Sequence, residues 1–192
     1  MIRSLAALSL LVLAPAFTFA HEVTYTAVLT GDAEVPAISS PGTGTATVTV
    51  DLDLATMRVQ ADFSGLDGNV TAAHIHCCTP PGGNVGVATP TPTFPGFPSG
   101  VTSGTYDMTF DLSLDTSYNA GFITNHGGTV GSAMTDLIAG LDAGEAYLNI
   151  HTSTVGSGEI RGLLRAVPEP TGGMLALSGA LMCGILRKRW AS

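Results

Sequence analysis

The chain predicts an all-β fold: an antiparallel β-sandwich of about seven or more strands with one short helix. Three observations carry that expectation. Runs of strict apolar/polar alternation recur through the middle of the sequence, Gly- and Pro-rich turns separate them, and Thr and Val fill the alternating positions.

The first residues, "MIRSLAALSLLVLAPAFTFA", join an early positive charge at Arg3 to an apolar run from Leu5 to Leu13 and small residues near Ala20. Those are the proportions of a secretory signal peptide over 1–20, too short to span a bilayer comfortably. Cleavage after Ala20 leaves His21 as the new terminus, and Ala16 offers a second site. The first strand falls on "VTYTAVL". In "TATVTVDLDL" Ala46, Val48, Val50 and Leu52 alternate with Thr45, Thr47, Thr49 and Asp51, the period of a half-buried strand. "TMRVQADF" repeats the pattern, with Met57, Val59, Ala61 and Phe63 opposite Arg58, Gln60 and Asp62. Further strands fit "NVTAAHIHC", "GTYDMTFDL", "EAYLNIHT" and "EIRGLLR". Between the first two of these lies "TPPGGNVGVATPTPTFPGFPSG", too rich in Pro and Gly for regular structure and of a length that is usually functional or disordered. "VGSAMTDLIAGL", residues 130–141, spaces its apolar positions as a short helix does.

The C-terminus reads "VPEPTGGMLALSGALMCGILRKRW". Pro168, Glu169 and Pro170 precede an apolar segment over 171–186, and Arg187, Lys188 and Arg189 follow. At about 1.5 Å per residue the segment reaches roughly 24 Å, marginal for a hydrocarbon core of about 30 Å, and the basic end orients it with the tail in the cytoplasm. What remains, 21–166, is one domain of ordinary size. Its basic residues are Arg58, Arg161 and Arg165 against fourteen Asp and Glu, a formal charge of −11. Such a surface repels nucleic acid and anionic headgroups and tolerates cations, so a nucleic-acid partner is excluded and the membrane is reached only through the tail. Export places Cys77 and Cys78 in an oxidising compartment, while Cys183 belongs to the tail.

Strand parity organises the chemistry. In "AAHIHCC" His74 and His76 point to one face, Ala73 and Ile75 to the other; in "AYLNIHT" Leu148 and Ile150 share a face, so Tyr147, Asn149 and His151 share the opposite one. The apolar sides belong in the core, because burying imidazoles without partners is costly. His74, His76 and His151 are therefore expected on the outward sheet face, converging if the two strands are neighbours. His-x-His with a third histidine at matching parity is a way to hold copper or zinc. Cys78 has the same parity if the strand lasts that long, which makes it a further candidate ligand; Pro80 and Pro81 argue for an earlier end. A vicinal disulfide, free thiols and pairing between chains are all open for the two cysteines.

Two resemblances attach to these residues. The Pro-Glu-Pro motif, short apolar segment and basic end are similar to the PEP-CTERM sorting signal of bacteria that produce exopolysaccharide. That likeness implies processing near Pro168–Pro170 by exosortase, a membrane protease, and a final place at the cell surface or outside the cell. "GDAEVP", "AAHIH" followed by a Gly-rich turn, and "AYLNIHTSTVGSGEIRGLL" resemble the CHRD domain over about residues 22–165. That family is named for repeats in the animal protein chordin. The resemblance implies an all-β extracellular module with no assigned enzyme activity, whose partners would be exopolysaccharide or surface proteins. The doubled cysteine and the long Pro-rich loop depart from the plainest family pattern.

The sandwich is thus expected to be superoxide-dismutase-like or immunoglobulin-like in outline. "HIH" also looks like the copper-binding strand of Cu/Zn superoxide dismutase, though no second histidine cluster and no zinc loop accompany it. An N-terminal His21 could chelate copper through its amine and imidazole if another histidine lay nearby. His126, in "ITNHGG", reads as a solvated turn residue, Asp51 and Asp53 as a solvated strand face, and Glu159 with Arg161 as a structural ion pair beside the His151 strand. No catalytic residue is assigned, and no nucleophile elbow, phosphate loop or dinucleotide fingerprint is present. The leading expectation is an exported binding or structural module acting at the cell surface or in the extracellular matrix, with a metal on the histidines left open, and a copper- or zinc-dependent redox or hydrolytic enzyme on the same histidines as the alternative.

Overall fold

The computed structural model describes residues 21–168, so the expected leader over 1–20 and the expected sorting signal from Glu169 onward lie outside the described residues. The alternating runs become eight strands: β1 Glu22–Thr30, β2 Thr43–Asp51, β3 Thr56–Ser64, β4 Val70–His76, β5 Gly104–Asp111, β6 Tyr147–Thr152, β7 Ile160–Leu163 and β8 Arg165–Ala166. They form one antiparallel sheet in the order β4-β6-β7-β1-β2-β3-β5, with β8 paired onto β1, curled into a half-barrel. The all-β class is as expected. No helix among the described residues is long and apolar enough to cross a membrane.

The sheet has a seam. β1–β2 and β2–β3 pair over nine residues each, but β1 meets β7 through the single pair Thr30↔Arg161. The chain then breaks from β7 into β8, which rejoins β1 at Tyr25 and Thr26. Gly162 makes the close crossing feasible, because a Cβ there would sit 2.3 Å from the Val28 carbonyl oxygen. The seam divides the sheet into a three-stranded half, β4-β6-β7, and a four-stranded half, β1-β2-β3-β5.

The inward side chains of both halves share one core. Tyr25, Leu29, Val48, Met57, Val59, Ile75, Leu148 and Ile150 are among its fully buried members. Helix α2, Val130–Asp142, confirms the expected segment and closes one side of it. Thr129 and Ser132 form a reciprocal capping box at its start, and Ala133, Leu137 and Leu141 turn one stripe inward. Burying a leucine as Leu137 is buried contributes about 2 kcal/mol. A second helix, α1 at Ala120–Asn125, was not expected; with six residues it is too short to show a period.

The Pro/Gly-rich loop is ordered and runs along the open edge of β4. Ala88 N–H and Phe94 N–H donate to the Ile75 and Ala73 carbonyls at 2.9 and 3.0 Å. The hydroxyl oxygens of Thr89 and Thr93 accept from Ile75 N–H and Ala73 N–H, both at 2.9 Å. The edge that would otherwise be unpaired is thereby covered by a segment with too many prolines to be a strand. Phe94 and Phe97 enter the core from this loop, Phe97 stacking on Phe63 with centroids 5.6 Å apart.

Candidate metal centre

The antiparallel register of β4 and β6 sets His74 opposite Asn149, His76 opposite Tyr147, and His151 opposite Ala72. His74 and His151 are thus diagonal neighbours on one face, and only the Ala72 methyl stands opposite His151. The three ring centroids form a near-equilateral triangle with sides of 5.2, 5.9 and 5.9 Å. One ring nitrogen from each imidazole lies within 4.8 Å of the other two. Ile75, Leu148 and Ile150 point into the core, as parity requires.

Parity is right about direction and misleading about exposure. His74 and His76 are only 6% and 8% exposed, so the outward face is not a surface patch. The reason is a roof made by segments distant in sequence. Arg161, on the same face of β7, donates from Nε to the Ala33 carbonyl at 2.5 Å and from Nη1 to Asn84 Oδ1 at 2.8 Å. Asn84 Nδ2 in turn donates to the Val35 carbonyl at 2.8 Å. One buried guanidinium therefore ties residues 33–35 to residues 83–84 above the histidines. It also lies 4.6 Å over the Tyr147 ring, which stacks on His76 with centroids 4.8 Å apart.

Each imidazole has one nitrogen engaged and one free. His74 Nε2 meets the Pro92 carbonyl at 2.7 Å, His76 Nδ1 the Val85 carbonyl at 2.8 Å, and His151 Nδ1 the Gly156 carbonyl at 3.0 Å. A carbonyl only accepts, so each of those nitrogens carries the proton and the other presents a lone pair. His74 Nδ1, His76 Nε2 and His151 Nε2 are buried without any partner. Burial lowers the pKa of His76 to about 4, with the Val85 carbonyl pulling it partly back and the neighbouring histidines and Arg161 lowering it further. Burial likewise lowers His74 and His151. All three are neutral near pH 7, the form that ligates metals.

These features match what a transition metal requires of histidine: neutral rings, one nitrogen oriented by an outer hydrogen bond, and the other free. Ligands about 2.1 Å from a tetrahedrally coordinated ion lie about 3.4 Å apart, so sharing one draws the widest pair inward by up to about 1.4 Å. Among the described residues no other group of His, Cys, Asp or Glu is arranged to share an ion.

The remaining candidates lie elsewhere. Cys78 is bonded to Cys77 in a vicinal disulfide, one of the alternatives the sequence leaves open, so its sulfur is not a thiolate. The pair rests on α2 at Gly140, where a Cβ would sit 2.3 and 2.4 Å from the two sulfurs. His21 is exposed at the start of β1. His126 stacks on Phe122 and has Asp136 Oδ2 2.8 Å from its Nδ1, so it is a paired helix-end residue and not a solvated one.

The expected Glu159–Arg161 ion pair is replaced by two separate arrangements. Burial raises the Glu159 pKa, but four hydrogen bonds more than offset that and hold it low. They come from the Ser40 and Thr152 hydroxyls and the Asp67 and Gly68 amides. Arg161 instead has Glu34 Oε2 3.9 Å from its Nε, and burial pushes the Glu34 carboxyl up to about 7 against that opposing charge. Sequence reasoning missed Glu34 entirely. The signal available for it was only "GDAEVP", a motif with no spacing to the histidines.

A curled antiparallel sheet with a roofed three-histidine face defines a small all-β domain of the kind that recurs as a module. The model of one family, the CHRD domain, matches residues 25–164, and the chain belongs to that family. No curated protein and no solved structure matches it.

Proposed function

We propose that this protein is an exported CHRD module that holds one copper or zinc ion on His74, His76 and His151 and acts by binding at the cell surface or in the extracellular matrix. The observation that carries the metal is the triangle of buried ring nitrogens, each lacking a partner and each on a ring whose other nitrogen is fixed by a carbonyl. Leaving three such acceptors buried and unpaired costs about 1–3 kcal/mol each, an expense that an ion removes. Export rests on the leader over 1–20, and release on processing by an exosortase-type protease near Pro168, Glu169 and Pro170. The strongly acidic domain favours partners such as exopolysaccharide or basic surface proteins over nucleic acid.

The alternative is a redox or hydrolytic enzyme on the same ion. It is favoured by the count of three protein ligands, which leaves a coordination position for water or substrate. Metal analysis of the extracellular protein from its native host separates the readings from a third, metal-free one. Near one copper or zinc per chain is expected. Protein that is folded and empty after purification without chelators, and that takes up neither ion on titration, would end the metal reading. Intact mass of the same material tests processing, with a start at residue 21 and no residues beyond the Pro-Glu-Pro motif expected.

A further inference from the structure

The sheet has two edges, and they are finished differently. The Pro/Gly-rich loop covers β4, whereas β5 ends the strand order on the other side and pairs with β3 alone. The register of that pair fixes where the main-chain groups of β5 point. Leu112 N–H donates to the Ala55 carbonyl at 2.7 Å, one step beyond the Thr56↔Asp111 pair, so alternate residues counted back from Leu112 bond to β3. Those are Phe110, Met108, Tyr106 and Gly104. The N–H and C=O groups of Thr105, Asp107 and Thr109 therefore face away from the sheet. All three residues are exposed, and no hydrogen bond among the described residues reaches those groups. The Ser117 hydroxyl donates to the Asp111 carbonyl and ends the open stretch.

An edge left this way is a template for another strand, and native sheets usually blunt it with Lys, Pro or a bulge. β5 has none of these. Its ladder to β3 runs without a register shift, and the charge of Asp107 is already met by Arg58. Met108 adds an apolar element. It alternates with buried Tyr106 and Phe110 on the inward side and lies opposite buried Val59, yet it is 37% exposed. A hollow of about 510 Å³ lined by Pro95, Gly96, Thr105, Tyr106, Asp107 and Met108 lies against the same edge.

What fits there is a strand, and β5 is its own complement. When two copies pair antiparallel, only edge-facing main-chain groups can bond, so Thr105, Asp107, Thr109 and Asp111 must be matched among themselves. An axis through Asp107 sets that carboxylate against its own copy, a like-charge pair that destabilises. An axis through Met108 sets Asp107 against the partner's Thr109 and Thr105 against the partner's Asp111. No two charges are then opposed, and each carboxylate meets a hydroxyl. The same axis brings the two Met108 side chains together on the inward side, with Tyr106 beside the partner's Phe110, and covers the position that a single domain leaves open. A two-fold contact of this kind closes on itself as a dimer. We propose that two copies of this chain join β5 to β5, antiparallel about a two-fold axis at Met108, and so continue one sheet through both domains. The histidine face lies at the opposite end of the strand order and plays no part in this contact.

The test is sedimentation velocity of the full chain over a range of concentrations. A contact of one strand is small, so dimer at roughly 100 μM and monomer at roughly 1 μM are expected. Met108→Lys sets two ammonium groups against each other at the axis and should weaken association about tenfold. Thr109→Lys sets each ammonium opposite the partner's Asp107 and should tighten it about three- to tenfold, a gain that a misfolded variant would not give. Two cysteine substitutions fix the register. Mild oxidation should link Met108→Cys into a covalent dimer, because facing Cα atoms at that position lie about 4.5 Å apart, and should leave Thr105→Cys unlinked. Monomer at every concentration, association that both lysine variants leave unchanged, or linking of Thr105→Cys in preference to Met108→Cys would overturn the proposal.

Discussion

The two halves of the sheet carry outward faces built to the same rule and put to different uses. On β1, β2, β3 and β5 the outward positions are Thr26, Thr45, Thr47, Thr49, Arg58, Gln60, Asp62, Thr105, Asp107 and Thr109, all exposed or half-exposed. On β4, β6 and β7 the polar and aromatic ones are His74, His76, Tyr147, Asn149, His151 and Arg161, of which only His151 is not buried, with Ala72 and Leu163 half-buried beside them. Both sets alternate with apolar residues at a period of two. The period therefore reports which side of the sheet a residue occupies and nothing about what lies above that side. The threonine face is met by water, and the histidine face is met by two loops held down by Arg161.

The sharpest way to break the contrast is to remove one arginine from each face. Arg161→Met should cost about 3–5 kcal/mol, because it strips a buried guanidinium from Glu34 and releases both roof segments. Arg58→Met removes a bidentate contact to Asp107 in which both side chains are about half exposed, and the denaturant midpoint should not move. Equal losses from the two variants would mean that the roof is not held by Arg161.

Acid should act next most strongly, and through the histidine face. His76 has a folded value of about 4 against about 6.5 unfolded, so between those values the unfolded chain binds the extra proton. Stability is then complete above about pH 6.5 and falls as pH drops toward 4, by up to about 3 kcal/mol from this residue. Metal-free protein unfolded in urea across that window should show the decline, and His76→Leu should flatten it. On the proposed metal reading, the same lowered values predict that binding should persist below pH 6.5, where free imidazole is already protonated.

Metal itself should stabilise by about 2.7 kcal/mol at a free concentration a hundredfold above Kd. The gain should vanish in His76→Ala and His151→Ala and be untouched in Thr47→Ala on the bare face, as read from melting with and without Zn²⁺ or Cu²⁺. The smallest contrast pairs two Thr→Val changes. Thr89→Val loses the hydroxyl that serves Ile75 N–H at the covered edge of β4 and should cost about 1–2 kcal/mol. Thr47→Val should stay within about 0.5 kcal/mol.

Much of this was readable from residues close together in the chain. Alternation placed the strands, and the apolar partners Ile75, Leu148 and Ile150 oriented the histidines correctly. What lies over them depends on contacts across 77 and 128 residues, from Arg161 to Asn84 and Ala33, and no local period encodes those. For the same reason the nearest acidic residue in sequence, Glu159, was a poor guide to the partner of Arg161. Its carboxylate is taken by two loop amides and two hydroxyls, while Glu34 arrives from the far end of the domain.

The outer partners of the three histidines are all main-chain oxygens, from Val85, Pro92 and Gly156. A side-chain partner can be deleted by one substitution; a carbonyl is present whatever residue carries it. The centre is thus insulated against amino-acid replacement in the long loop, whose exposed positions are free to vary. It is exposed to changes of length instead. One residue inserted or deleted between Cys77 and Pro92 would slide the carbonyls off their rings, so among relatives the spacing here should be held more tightly than the letters.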